Sequence, residues 1–248
     1  MRIDFCLPIR NEAEVLESNL LTLLNYFNSA NFDFSWKIIG VINGSSDNSL
    51  DIFRTIKDKF PNSLDYFILD NPGKGGAIKY CWRKSTADIL AFMDADLAIA
   101  VDSTLKLVSP VINKEADLVI SSRFMPGALT QRSAQRGLIS RSYVELSRLI
   151  LGHKKKDIQC GFKVISKSSF SKIEKFLEDD YWFFDTELVV ISELAHLKIV
   201  EVAVDWRENR NGIKKSNIRV IQDSFNFIVK LMKFRLRLEK IKRYFYKF

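Results

Sequence analysis

The sequence predicts an α/β fold, a mostly parallel central sheet flanked by helices. Three observations predict it. Short apolar runs alternate with segments of helical period along most of the chain. The runs end in clusters of Gly, Pro, Asn, Asp and Ser, the residues that close strands and open helices. The 248 residues are 47% hydrophobic and 27% charged, enough to bury a large core without disulfide staples.

The elements follow in order. IDFCLPI (3–9) is the first strand, ended by Pro8, and Val15, Leu16, Leu20, Leu23, Leu24 and Phe27 then recur at helical spacing. KIIGVI (37–42) is the second strand, closed by NGSSDNS, a turn cluster able to cap the helix over 50–60. DYFILD (65–70) is the third, followed by NPGKGG and a helix over 77–84. DILAFMDAD is the fourth strand and ADLVISSRF (116–124) the fifth. Sheets of this kind bind ligands beyond the carboxyl ends of their strands. Asn43, residues 73–76 and residues 94–96 should therefore share one rim.

Several classes are set aside. No run approaches the roughly 18 apolar residues of a membrane-spanning helix. MRIDFCLPIR reads as a strand and not a signal peptide, its apolar run being too short. Cys6, Cys81 and Cys160 have no metal-type spacing and read as free thiols of a reducing cytoplasm. His153 and His196 stand alone and read as structural or surface residues.

The net charge of +8 is concentrated at one end. Lys230, Lys233, Arg235, Arg237, Lys240, Lys242, Arg243 and Lys247 stand against Glu239 alone, which places +7 in the last 19 residues. Phe227, Leu231, Phe234, Leu238, Ile241 and Phe245 recur every three or four residues among them. Residues 1–220 thus read as one catalytic-type domain and 221–248 as a basic amphipathic helix. Such a helix suits an anionic membrane surface, apolar stripe down; packing of the stripe on the domain or on a partner subunit is the plainer alternative. No nucleic-acid recognition motif accompanies the charge, so a nucleic-acid partner is not expected.

The chemistry-bearing motif is AFMDAD. An apolar strand runs into Asp94 and Asp96, two like charges that are costly to bury unpaired. Two hard oxygen ligands at a strand end suit Mg²⁺ or Mn²⁺, completed by phosphate oxygens and water. The plainer reading is a solvated acidic turn. NPGKGG lacks the spacing of a P-loop, yet Lys74 at a helix start can approach an anion. Arg123 and Arg136 bracket a loop rich in small and polar residues, and an arginine fork suits phosphate.

The stretches LPIRNEAE, INGSSDNS, NPGKGGAIKYCW, ILAFMDADL, DLVISSRF, RGLISRSY, DIQCGFKVIS, WFFDTELV and IVEVAVDWRE, in this order, resemble glycosyltransferase family 2 with the GT-A fold. More narrowly, they are similar to the polyprenyl-phosphate sugar transferases, the dolichyl-phosphate mannosyl- and glucosyltransferases. The resemblance implies a nucleotide-sugar donor, a polyprenyl-phosphate acceptor and a divalent metal, Mg or Mn, on Asp94 and Asp96. It places Pro8, Arg10, Asn11 and Glu12 in the nucleotide pocket, Asp47 near its second wall and Lys74 beside the diphosphate. Arg123 and Arg136 would grip the lipid phosphate. Gln159 to Lys163, with Asp185 and Glu187 of the Trp182 to Glu187 segment, would lie around sugar and acceptor. The family pattern carries Asp-Asp where this chain has Ile42-Asn43, so Asn43 would meet the base through its amide oxygen and without charge. The resemblance also implies inversion at the sugar, peripheral attachment on the cytoplasmic side of a membrane, and room for a separate membrane-protein partner. Two other readings use the same residues. One is a family 2 transferase acting on a sugar hydroxyl, with Asp185 or Glu187 as base; the other is an inactive nucleotide-binding or scaffold relative.

Overall fold

The computed structural model of the chain describes residues 1–131, 134–207 and 220–246; the side chains of residues 134, 136 and 220–226 lie outside that description. β1 (Arg2–Ile9), β2 (Ser35–Asn43), β3 (Leu64–Leu69), β4 (Ile89–Met93) and β5 (Leu118–Ser122) are the five expected strands, with boundaries shifted by one to three residues. β6 (Thr130–Gln131), β7 (Phe162–Ser166), β8 (Ile199–Ala203) and β9 (Trp206–Arg207) are additional. Seven strands form one sheet in the order β3-β2-β1-β4-β7-β5-β8, while β6 and β9 pair separately. Every neighbour in the large sheet is parallel except β7, which runs antiparallel between β4 and β5.

Helices cover both faces: α1 (Ala13–Ser29), α2 (Ser49–Lys59), α3 (Lys74–Lys84), α4 (Ser103–Ile112), α5 (Ala134–Leu151), α6 (Lys167–Ile173), α7 (Phe184–Leu194) and α8 (Val220–Phe245). The two-residue period of a strand sorts the cores. Ile3, Phe5, Leu7 and Ile9 of β1 point to one face and pack with Leu20, Leu24 and Phe27 of α1 and Phe53 of α2. Cys6 points the other way, with Val41 of β2 and Phe92 of β4, onto Ile78 and Trp82 of α3 and Leu188 of α7. All three cysteines are free and buried.

Two expectations are corrected here. The apolar stripe of the last helix does not face outward. Leu231, Phe234, Leu238 and Ile241 are buried in the second core, with Phe227 and Phe245 packed against it. Burying a large apolar side chain contributes about 1.5–3 kcal/mol, and the domain supplies that burial. Ion pairs of α8 with the α7 region, Lys230 to Asp179 and Arg237 to Glu178 and Glu187, fasten the same face. The second correction concerns β4, which stops at Met93 instead of running extended through Asp96. The chain turns there, with the Leu97 N–H donating to the Asp94 carbonyl at 3.2 Å.

Strand direction places the site. β1, β2, β3, β4 and β5 all end at one edge. β7, being antiparallel, begins at that edge, with Phe162 opposite Met93. The loops after Ile9, Asn43, Leu69, Met93 and Ser122 and the loop before Phe162 therefore meet on one rim.

Candidate active site

A row of alternating charge runs under this rim. Lys163 on β7 and Asp185 in the first turn of α7 are fully buried and ion-paired. Lys163 also donates to the Cys160 carbonyl at 2.8 Å. The other oxygen of Asp185 lies 3.3 Å from Lys74 Nζ, and Lys74 Nζ lies 2.8 Å from Asp94 Oδ1. Asp185 at a helix N-terminus is further favoured by the helix dipole. Lys74 sits 4.9 Å from the ring centres of both Phe92 and Trp182. Burial acts to lower the Lys74 pKa, but the charges of Asp185 and Asp94 outweigh it and hold the ammonium above its ordinary range. Burial raises the Asp94 carboxyl above its ordinary value, against the pull of Lys74 and with the help of nearby Asp96. Lys74 Nζ thus stands between two carboxylates, and both contacts are ion pairs that keep it charged.

The turn that carries the two aspartates is tightly built. Leu97 follows Asp96 with φ 48°, a left-handed conformation that costs a leucine about 1–3 kcal/mol. It packs against the first core, and the Ala98 N–H donates to Asp96 Oδ1 at 3.2 Å. Asp94 leans over Gly161, whose carbonyl accepts from the Asp94 N–H at 3.0 Å. A Cβ on Gly161 would collide with the Asp94 carboxylate. The glycine after Lys74 has a comparable reason. A Cβ on Gly75 would stand 2.5 Å from Phe184 Cβ and 2.7 Å from the Asp179 carbonyl, so NPGKGG lets α3 abut the loop that opens α7.

The residues expected to line a nucleotide pocket form one stitched wall. Pro8 lies in β1; Arg10 is exposed just beyond it. Asn11 takes a left-handed conformation, φ 54°, which asparagine tolerates. Its Oδ1 accepts from the Ser46 N–H at 2.8 Å, and its N–H donates to Ser45 Oγ at 3.1 Å. The Glu12 N–H donates to Ser49 Oγ, and Asp47 accepts from the Ala13 and Ser49 N–H groups. Asn43 faces inward instead of toward a base. It is 2% exposed, its amide donates to the Ile9 and Val41 carbonyls at 3.1 and 3.2 Å, and its oxygen accepts from the Gly73 N–H at 3.0 Å. An aspartate could accept from Gly73 but could not donate to the two carbonyls.

Arg123, expected to grip an acceptor phosphate, has its fork filled by Asp157. Nε and Nη2 donate to its carboxylate at 2.7 and 2.9 Å, and the Arg123 N–H adds a third bond at 3.0 Å. Burial acts to raise the Asp157 carboxyl, but Arg123 overrides it and holds it below its ordinary value. Arg136 lies in α5, with its side chain outside the described residues. Gln159 donates to Thr186 Oγ1 at 2.8 Å, and Thr186 bonds Tyr143 at 2.6 Å. Glu187 is paired with Arg237 and accepts from the Glu178 and Asp179 N–H groups at 2.7 and 2.8 Å. Among the described residues, no three His, Cys, Asp or Glu side chains cluster as a metal site. Asp157 was not singled out by sequence reasoning, whereas Gly161, Trp182 and Thr186 fall inside the segments that the resemblance placed around sugar and acceptor, without roles of their own. Only Gly161, a glycine directly before a strand, carried a local signal.

Comparisons with known proteins find similar sequences and folds. Residues 4–174 match the family described as glycosyl transferase family 2. A glycosyltransferase, AglD, of Haloferax volcanii is 31% identical over 221 residues, covering 89% of this chain and 35% of its own length. A dolichyl-phosphate beta-glucosyltransferase of Trichomonas vaginalis is 29% identical over 238 residues, covering 90% of this chain and 71% of its own. Among solved structures, the fold matches glucosyl-3-phosphoglycerate synthase from Mycobacterium tuberculosis in complex with Mn²⁺, UDP-glucose and glycerol 3-phosphate. The TM-score is 0.66 at 18% identity, over 94% of this chain and 79% of that one. A mannosyltransferase from Pyrobaculum calidifontis in complex with GDP-Man and Mn²⁺ matches with TM-score 0.57 at 15% identity, over 87% of this chain and 58% of that one. The fold is that of the GT-A glycosyltransferases.

Proposed function

The chain belongs to glycosyl transferase family 2, and on that premise we propose that it transfers a sugar from a nucleotide-sugar to a polyprenyl phosphate, with inversion. The observation that carries the reading is the meeting of Asp94, Asp96 and Lys74 on the rim where β1, β2 and β4 end. The relatives named as dolichyl-phosphate glucosyltransferases support the acceptor class, and glucose is the first sugar to test. Asp94 and Asp96 offer carboxylate oxygens, hard ligands that suit Mg²⁺ or Mn²⁺, with oxygens of the donor and water to complete the shell. A divalent ion held by Asp94 and Asp96 would offset the charge that develops on the leaving diphosphate.

The remaining work falls to the chain. The stitched wall of residues 10–13 and 45–49 receives the nucleoside. Lys74 donates to the diphosphate. Trp182, 46% exposed beside Lys74, shields the reacting centre from water. One oxygen of the acceptor phosphate bonds to the anomeric carbon as the bond to the diphosphate oxygen breaks, so an α-linked donor gives a β-linked product. That acceptor is already anionic near neutral pH and needs positioning more than a base. A sugar-hydroxyl acceptor needs a free carboxylate base, and both candidates, Asp185 and Glu187, are held in ion pairs. With its fork on Asp157, Arg123 shapes the acceptor side and leaves the incoming phosphate to Arg136.

No helix of the described residues is long and apolar enough to cross a membrane. The lipid is met instead through the outer face of α8, where Ile228, Met232 and Leu236 are exposed beside Lys233 and Lys240. The test is a panel of UDP- and GDP-sugars against polyprenyl phosphate in detergent with Mg²⁺ or Mn²⁺. A lipid-phosphate sugar that is lost at least 100-fold in Asp96→Ala is the expected product. Turnover on a glycan hydroxyl with none on polyprenyl phosphate would replace this reading.

A further inference from the structure

The row Lys163–Asp185–Lys74–Asp94 contains a cation where a divalent ion is read. Lys74 Nζ is 2.8 Å from an oxygen of Asp94, and its side chain is 7% exposed. An ammonium so placed already neutralises the carboxylate that would hold the metal. A second positive charge brought to the same oxygen is repelled, strongly so where burial weakens screening. Lys74 also keeps a donor in reserve, because its ammonium has three N–H groups for the two carboxylate oxygens of Asp94 and Asp185 that it meets. A buried ammonium with a donor to spare beside a rim aspartate is suited to anionic oxygens. Two neighbours keep it there. Asp185 stands 3.3 Å away and is itself fixed by Lys163, while the rings of Phe92 and Trp182 flank the ammonium at 4.9 Å.

We propose that Lys74 is a resident cation of the donor site, which opposes a divalent ion on Asp94 until diphosphate oxygens draw its ammonium away. Metal and nucleoside diphosphate therefore bind with positive coupling, part of which runs through this lysine. By linkage the effect is reciprocal: the diphosphate strengthens the metal by the factor with which the metal strengthens the diphosphate. The inference deepens the nucleotide-sugar reading and rests on Asp94 and Asp96 as the metal-holding pair. Its consequence is that the free protein carries little metal and loads it together with donor.

The test is calorimetry and Mn²⁺ EPR on the full chain, titrating Mn²⁺ alone, inorganic pyrophosphate or UDP alone, and each in the presence of the other. In the wild type, pyrophosphate should tighten Mn²⁺ within the roughly 5–150-fold range typical of coupled sites. Lys74→Met removes the charge while keeping most of the side chain's length, and Lys74→Gln keeps an amide donor; thermal melts check that each is folded. In either, Mn²⁺ alone should bind about tenfold tighter, pyrophosphate alone about tenfold weaker, and the coupling should shrink to what direct contact of ion and phosphate leaves. Lys74→Arg, which keeps the charge, should stay near the wild type for Mn²⁺ alone. Unchanged or weaker Mn²⁺ binding in both neutral variants overturns the role of Lys74 and leaves the donor reading standing. A wild type that binds neither Mn²⁺ nor UDP overturns both. Should neither variant fold, the wild-type titrations decide: a Mn²⁺ affinity indifferent to pyrophosphate overturns the proposal.

Discussion

Replacing Asp185 by Asn tests whether charge holds the buried row together. Lys163 is fully buried, and its ammonium meets Asp185, the Cys160 carbonyl at 2.8 Å and the face of Phe92 at 5.3 Å. Asp185→Asn leaves that cation with neutral contacts and only the Arg123-paired Asp157 as a countercharge nearby, and it also loosens Lys74. Breaking a buried pair from one side costs about 3–5 kcal/mol. In a chain of this size 1 kcal/mol moves Tm by about 2–4 °C, so the melting point should fall by about 6–20 °C. Adding Lys163→Met removes the stranded ammonium, and the double variant should recover at least about 1 kcal/mol relative to the sum of the singles. Thermal melts of the wild type, both singles and the double make the cycle. A Tm for Asp185→Asn within about 2 °C of the wild type, or strictly additive losses, would refute the electrostatic account.

Other substitutions probe the rim and its supports. Gly161→Ala forces the Asp94 carboxylate to move, so turnover should drop at least about tenfold while the melting point shifts less than in Asp185→Asn. Asn43→Asp restores the family residue yet strips donors from the Ile9 and Val41 carbonyls; urea midpoints should report a loss of about 1–3 kcal/mol, and a gain would contradict the assignment. Burial, with Arg148 adding to it, pushes His153 down to about 4, whereas an unfolded histidine titrates near 6.5. Because the folded-state value is the lower one, the unfolded chain binds the extra proton between these values. The stability tied to His153 is then complete above about pH 6.5 and is lost toward pH 4, an effect of order 3 kcal/mol. His153→Phe should flatten stability against pH in that window by about one proton, read from urea curves at pH 4.5–7; an unchanged slope would count against the buried neutral ring.

The parallel strands were legible because a strand buried on both faces is written as an apolar run, as in ILAFM and LVISS. β7 was not read as a strand. FKVIS carries a lysine at its second position, and Asp185, 22 residues on, supplies the charge that makes that lysine tolerable in the sheet. No local pattern shows such a partner. The acid pair was legible from its position at a strand end. The Lys74 contact was not, since it joins the start of α3 to the end of β4 through tertiary packing. Periodicity displayed the apolar stripe of α8 but could not say whether lipid or the domain covers it; Leu231 and Leu238 answer that by being buried. Asn43 was legible as a departure, and its reason, two carbonyls needing donors, became visible only in three dimensions.

The central claim is that Asp94 and Asp96 hold a divalent ion on a nucleoside diphosphate at the rim. Manganese anomalous scattering from crystals grown with UDP-glucose and Mn²⁺ tests it most directly. The account predicts an anomalous peak within coordination distance of a carboxylate oxygen of this pair, with diphosphate oxygens on its other side and Lys74 turned toward them. A peak elsewhere, or bound nucleotide with no peak beside either aspartate, would contradict it.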